Sequence, residues 1–210
     1  KNYDFCITSS GISAIKAGLF AWLIRAKRRI GDAPAGTLRI YTDQITFDPS
    51  MHRTWANHAL FKLVFDLPDA GSIATNPRYR EVFRTRYHSI ASAGVEAESF
   101  LKKHYATGDF VVAIHPGCNA KNKYRRWDLE YFVELVRLLK CRHAAWKFYV
   151  IAGPDELEEG TQLAKCIDAP CLSGVSLDTV SEALKRSKML INTDSGIGHI
   201  ASCHQLPSFV

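Results

Sequence analysis

The chain has 210 residues, 47% hydrophobic and 23% charged, with 13 Gly and 8 Pro. That is a globular composition with room for a real core, and it excludes disordered, collagen-like and low-complexity classes. Net charge is +6, all of it in residues 1–108, which hold 15 Lys and Arg against 9 Asp and Glu; residues 109–210 hold 12 of each. The longest apolar stretch, residues 17–24, falls short of the ~20 residues a membrane helix needs. No secretory leader is read at the start, where Lys1-Asn2-Tyr3-Asp4 runs directly into a strand-like segment.

In chain order, residues 3–8 read as a buried strand and 11–26 as an apolar helix ending at Lys27-Arg28-Arg29, with a return beginning at Ile30-Gly31. Residues 54–65 look helical. The segment 66–95, rich in Arg and Pro, carries the weakest pattern. Residues 96–104 suit a helix leading to a hinge at Ala106-Thr107-Gly108, and a domain boundary is placed there.

The second half alternates. Residues 110–114 form an apolar strand stopping at His115-Pro116-Gly117. In 128–139, Leu129, Phe132, Val133, Leu135, Val136 and Leu139 fall on one helical stripe. A strand over 147–152 closes at Gly153-Pro154, and 155–167 is a helix with acids in its first turn, where the helix dipole favours them. A short strand at 171–172 precedes a helix over 177–186, capped by Ser176, with Leu177, Val180 and Leu184 facing inward. A strand at 188–192, a helix from Gly196 to Cys203 and a strand at 207–210 complete the series. Such alternation predicts a parallel, doubly wound sheet, whose ligands bind beyond the carboxyl ends of its strands.

Six cysteines without a CxxC pair read as free, buried thiols in a reducing compartment. His115 and Cys118 have ligand-like spacing but no partners in the pattern, so no metal site is expected. The basic first half suits phosphate, acidic sugar or nucleic acid, or is simply a solvated surface. Nucleic acid is disfavoured because the basic residues are not interleaved with aromatics.

Three loops fall on one predicted sheet edge. His115 to Trp127 carries Lys121, Lys123, Arg125 and Arg126; Gly153-Pro154-Asp155-Glu156 follows the next strand; Ile191-Asn192-Thr193-Asp194-Ser195-Gly196-Ile197-Gly198-His199 follows the third. Cations, an acid and a glycine-bounded helix start together suit a nucleotide, with helix N–H groups and cations on the phosphates and a carboxylate on the ribose. Each piece has a plainer reading. Asp194 and Ser195 cap helices commonly, Glu156 suits a helix first turn, and Arg125 and Arg126 suit a solvated face. His199 fits an ordinary helix position, and Trp127 fits the core. Ser195 is not a nucleophile-elbow serine, because position 193 is Thr rather than Gly.

These segments carry a family resemblance. HPGCNAKNKYRRWDLEYFVELVRLL, VIAGPDELEEGTQLA and CLSGVSLDTVSEALKRSKMLINTDSGIGHIASCHQLPSFV resemble, in order, segments of glycosyltransferase family 9, the lipopolysaccharide heptosyltransferases. YDFCITSSG and KRRIG are similar to pieces of that family's first half. The resemblance is strong over 110–210 and faint but collinear before.

It implies an α/β fold of GT-B type, two Rossmann-like doubly wound domains around a cleft, the first incomplete. Residues 1–108 would be a partial acceptor-binding domain and 109–210 a donor-binding domain truncated at its end. It further implies an inverting, metal-independent transfer without cofactor, of heptose from ADP-heptose to an anionic lipid-linked core oligosaccharide. The setting would be the cytoplasm, with peripheral contact at the inner membrane.

By position, Thr193, Asp194, Ser195, Gly196, Gly198 and His199 would hold the diphosphate, Asp194 as organiser of backbone donors. Glu156 would hold the ribose. Arg125 would neutralise the leaving group where the family has Lys, with Lys123 and Arg126 as further candidates. The general base is expected upstream of Lys1, the chain being read as a fragment lacking both termini. The rival is a non-catalytic nucleotide or nucleotide-sugar module, a degenerate relative.

Overall fold

A computed structural model describes residues 3–9, 13–33, 40–46, 48, 50, 52–78, 85–118 and 124–210. The chain forms two compact units, Lys1–Phe83 and Arg84–Val210. In the first, strands β1 (Phe5–Ile7), β2 (Arg28–Asp32) and β3 (Asp43–Ile45) make a parallel sheet in that order. Helix α1 (Ala14–Leu23) links β1 to β2, and α2 (Arg53–Lys62) and α3 (Ala70–Thr75) follow.

Tyr41 organises this unit. Its hydroxyl donates to the Ala14 carbonyl at 2.8 Å. A Cβ on Gly31 would lie 2.3 Å from its ring, and one on Gly18 3.0 Å. A side chain at Gly31 would collide with the ring and Thr8, and one at Gly18 with Ile40 and the ring.

One expectation changes here. Strand β1 is half-exposed rather than buried, with Phe5 at 41%, and among the described residues β2 alone pairs with it. Helix α1 buries Gly18 and Ala21 but leaves Ile15, Leu19, Phe20, Trp22 and Leu23 exposed. The cations after it are engaged locally: Lys27 with Asp4, Arg28 with Asp43, and Arg29 with the Ile40 and Ala26 carbonyls. β3 escaped the sequence reading because Asp43-Gln44-Ile45 has no apolar run.

The second unit begins before the hinge read from sequence. Helix α4 (Ala91–His104) precedes β4 (Phe110–His115), α5 (Leu129–Arg142) and β5 (Trp146–Ala152). A single 3-10 turn (Pro154–Glu156), α6 (Leu157–Cys166) and β6 (Cys171–Ser173) follow. Helix α7 (Leu177–Lys185), β7 (Met189–Asn192), α8 (Gly196–Cys203) and β8 (Ser208–Phe209) complete it.

Helix α4 and its lead-in are pinned to α7. Thr179 donates to Glu96, Ser89 to Glu182, and Tyr87 to Asp178 at 2.9 Å. The boundary at 108 therefore falls inside this unit. Arg84, Arg86, Lys102 and Lys103 pass to it with Glu96 and Glu98, so the first unit carries +4 and the second +2.

The sheet order is β6-β5-β4-β7-β8, all parallel. Alternate side chains along a strand face opposite ways, and that rule divides the core. Val111, Ala113, Tyr149, Ile151 and Leu190 pack with α4, α7 and α8. Val112, Ile114, Phe148, Val150 and Ile191 pack with α5 and α6. Helices cover both faces, as the continuous apolar strands require.

The predicted stripe on α5 holds, with Phe132 and Val136 fully buried. Ser176 caps α7, accepting the Thr179 N–H at 3.2 Å. Leu177 was expected inward but is 57% exposed, while Val180 and Leu184 are buried. Trp127, expected in the core, is half-exposed and stacks on Tyr131. None of the six cysteines, all among the described residues, is in a disulfide, and of them only Cys118 is buried. Among the described residues no helix is long and apolar enough to cross a membrane.

Helix α6 lies against β5 through Gly160, where a Cβ would sit 2.5 Å from that of Ala152. Gly160→Ala should therefore destabilise the protein by about 1–3 kcal/mol through overpacking, despite the better helix propensity of Ala. Urea unfolding of both proteins measures the difference, and equal midpoints would refute the packing.

Candidate functional site

Strand order reverses between β4 and β7. From β4 the chain winds one way through β5 and β6, then returns to β4's other side at β7. In parallel α/β sheets the crevice outside this point is where ligands bind. His115, the last residue of β4, stands opposite Asn192, the last of β7. A pocket of about 420 Å³ opens there. Its walls include His115 ending β4 and Cys118 after it, Gly153, Pro154 and Glu156 after β5, Val175 and Leu177 after β6, and Ser195, Gly196 and Ile197 at the start of α8. The exposed Leu177 is thus part of a pocket wall.

Glu156 lies at the base of the pocket, 6% exposed. Its Oε1 accepts the Gly153 N–H at 3.0 Å and meets His115 Nε2 at 3.0 Å; its Oε2 is 3.9 Å from Arg126. Its carboxyl is held below the usual carboxylate range, first by the His115 hydrogen bond, against desolvation that acts the other way. A Cβ on Gly117 would lie 2.3 Å from Glu156 Cγ, so the loop after β4 is glycine here to let the acid pass. The acid expected to face a ribose lines the pocket, with Oε1 engaged by His115 and the Gly153 N–H.

His115 extends the network: its Nδ1 is 3.1 Å from Ser195 Oγ. Ser195 is the N-cap residue of α8, yet its side chain makes no capping bond, because it is turned to the histidine. The first N–H groups of α8 therefore face the pocket end of the helix without a side-chain cap, an arrangement that favours anions. With both ring nitrogens engaged, His115 is not disposed as a metal ligand, and no cluster of three potential ligands occurs among the described residues.

The remaining candidates separate by what they touch. Asp194 pairs with Arg125 at 2.7 Å, both exposed, so Asp194 holds this cation beside the start of α8. Thr193 is buried: its N–H meets the His115 carbonyl and its hydroxyl donates to the Gly117 carbonyl. It ties two loops together and is not part of the pocket wall. Gly198 packs on Asn192, where a Cβ would lie 2.9 Å from Nδ2. Around Gly196 nothing among the described residues lies within 4 Å of such an atom, and none of them demands glycine there. His199 is exposed and outside the pocket wall.

Arg126 is a buried clamp, not a solvated charge. It binds Glu159 and the Cys118 carbonyl at 2.7 and 2.8 Å, while its Nε is buried with no hydrogen-bond partner among the described residues. Lys123 lies outside the described residues. Sequence reasoning passed over His115 except as a metal ligand. Its signal was a polar residue ending a fully apolar strand.

The sequence model of glycosyltransferase family 9 (heptosyltransferase) matches residues 1–209. Among solved structures the chain is similar to a family 9 glycosyl transferase from Veillonella parvula DSM 2008, with 17% identity and TM-score 0.69, over 96% of this chain and 55% of that one. It is similar also to ADP-heptose lps heptosyltransferase II of E. coli (15% identity, TM-score 0.62, 98% and 61%). A third likeness is to E. coli heptosyltransferase WaaC with ADP-2-deoxy-2-fluoro heptose (18% identity, TM-score 0.63, 99% and 61%). No curated protein sequence matches the chain. The fold is accordingly α/β with parallel sheets, of GT-B type, and the chain spans 55% to 61% of the length of these structures.

The ionised Glu156 contributes to stability with a definite pH signature. A carboxyl whose folded pKa lies below its unfolded value stabilises fully above the unfolded value, about pH 4.3, and loses that contribution as pH falls through the folded one. Glu156→Gln should cost about 1.5–3 kcal/mol at pH 7. The gap from the parent should narrow as pH drops below about 4.3. Denaturant unfolding across that range checks it, and a pH-independent gap would refute the charge assignment.

Proposed function

The chain belongs to glycosyltransferase family 9, the heptosyltransferases, and from that premise we propose that its second unit binds the nucleoside diphosphate of a nucleotide-sugar donor. The observation that carries the reading is the pocket at the sheet's reversal point, closed by the uncapped start of α8. There Gly196 leaves room for a close approach to the backbone, and Arg125 is held by Asp194 next to Ser195. A diphosphate needs N–H donors and a cation at short range. The apolar wall of Val175 and Leu177 suits a base or ribose face.

The donor is taken to be ADP-heptose and the acceptor an anionic lipid-linked lipopolysaccharide core. Structures similar to this chain support that choice: one is an ADP-heptose lps heptosyltransferase, and another, WaaC, is seen with ADP. In the transfer, the bond from the anomeric carbon to the diphosphate oxygen breaks as the acceptor hydroxyl oxygen attacks from the opposite face and gives its proton to a general base. Negative charge gathers on the departing ADP, where Arg125 and the α8 N–H groups would stabilise it without a metal or cofactor. The basic first unit suits an anionic acceptor, and the protein would work in the cytoplasm, peripheral to the inner membrane. Neither Thr193 nor Gly198 is assigned to the ligand, and Glu156 acts from below the pocket.

Calorimetry against ADP, UDP and GDP tests the donor. ADP should bind best; a preference for UDP would change the donor, and silence from all three would end the nucleotide reading. Gly196→Val should weaken ADP binding about tenfold or more, roughly 1.4 kcal/mol, with an unchanged melting temperature. Arg125→Ala should weaken it to a similar degree.

A further inference from the structure

The hydrogen-bond polarity of the Ser195–His115–Glu156 chain can be read from its ends. Glu156 Oε1 lies 3.0 Å from His115 Nε2 and accepts the Gly153 N–H as well. An ionised carboxylate only accepts, so Nε2 carries the hydrogen. A neutral imidazole has one N–H, which leaves a lone pair on Nδ1. With the ring neutral, the Ser195 hydroxyl, 3.1 Å away, donates its hydrogen to Nδ1. In that state Ser195 offers only lone pairs to the pocket it lines. A phosphate oxygen placed there meets another acceptor. His115 is 4% exposed and Glu156 6%, so bulk water is poorly placed to rearrange the set.

One proton on Nδ1 reverses the polarity. The imidazolium donates from both nitrogens, Ser195 becomes the acceptor of Nδ1–H, and its own O–H is freed toward the pocket. A positive charge also appears behind the phosphate position. The titratable and charged groups around the ring are Glu156 from the turn after β5, Arg126 at 3.9 Å behind that carboxylate, Cys118 from the ring's own loop, and the Asp194–Arg125 pair beside Ser195.

We infer that His115 is a positioning residue whose protonation turns the Ser195 hydroxyl from acceptor to donor, so that binding a nucleoside diphosphate draws one proton from solvent onto His115. The inference rests on the nucleotide reading above. It does not involve a bond to the sugar, and His115 need not touch the substrate. Affinity should fall by up to tenfold per pH unit wherever free His115 is neutral.

Calorimetry of the full chain with ADP, in buffers of differing ionisation enthalpy between about pH 7 and pH 9, counts the protons. The ADP phosphate, with its second ionisation near pH 6, is then nearly fully ionised. Uptake close to one proton is expected, with affinity falling as pH rises. His115→Asn should bind ADP with no uptake and little pH dependence. Imidazole nitrogen shifts of the unsubstituted protein give a second readout that does not depend on the variant folding. They should show the Nε2–H tautomer in the free protein and both nitrogens protonated with ADP. ADP binding without proton uptake, or an Nδ1–H tautomer in the free protein, would overturn this inference alone. Absence of ADP binding at millimolar concentration would overturn the nucleotide reading with it.

Discussion

A single buried carboxylate disciplines the site. Glu156 is shielded from water, and an ionised acid in that position is tolerated only when its oxygens are satisfied. Its partners come from different strand ends: His115 from β4, the Gly153 N–H from β5, and Arg126 from the approach to α5. Satisfying one acid thus sets three loops relative to one another. Through His115 the constraint reaches Ser195 and the start of α8. Gly117 has no side chain because Glu156 fills that space. Loss of any member would leave a buried polar group unpaired, a cost of about 1–3 kcal/mol.

The sheet supplies the frame on which this works. β4 and β7 are central and apolar on both faces, so helices on either side bury them and fix their ends. Their register sets His115 opposite Asn192. Thr193 then seals the junction, its N–H on His115 and its hydroxyl on Gly117. The pocket is where the two central strands stop and the helices covering them diverge, which is why it appears at the reversal of strand order. Rigid strand ends below, with an exposed Arg125–Asp194 pair above, suit a site that holds a charged ligand against backbone donors.

Much of this was legible beforehand. The strand and helix succession from 110 onward follows from apolar periodicity, since fully buried parallel strands and amphipathic helices leave different patterns. The family was legible in three motifs. The division of labour within those motifs was not. Thr193, Asp194 and Ser195 are adjacent and similarly polar, yet one braces two loops, one holds an arginine and one meets a histidine. Arg125 and Arg126 look interchangeable, but the first is exposed and the second is clamped by Glu159 and the Cys118 carbonyl. The boundary at 108 failed for the same kind of reason. A glycine hinge is a local signal, whereas α4 belongs to the second unit through contacts to residues more than 80 positions away.

The sequence by itself therefore determined the order of elements, the parallel doubly wound class and the loops that gather at one sheet edge, because these depend on periodicity and on turn residues close in the chain. Only the tertiary structure decided which polar side chains face the pocket and which are consumed beneath it. That choice depends on hydrogen-bond partners brought together from distant segments, and a buried charge accepts no arrangement that leaves it unpaired. His115 is the clearest case: as sequence it was a polar end to an apolar strand, and as structure it stands between Ser195 and Glu156, joining two loops that lie about forty residues apart along the chain.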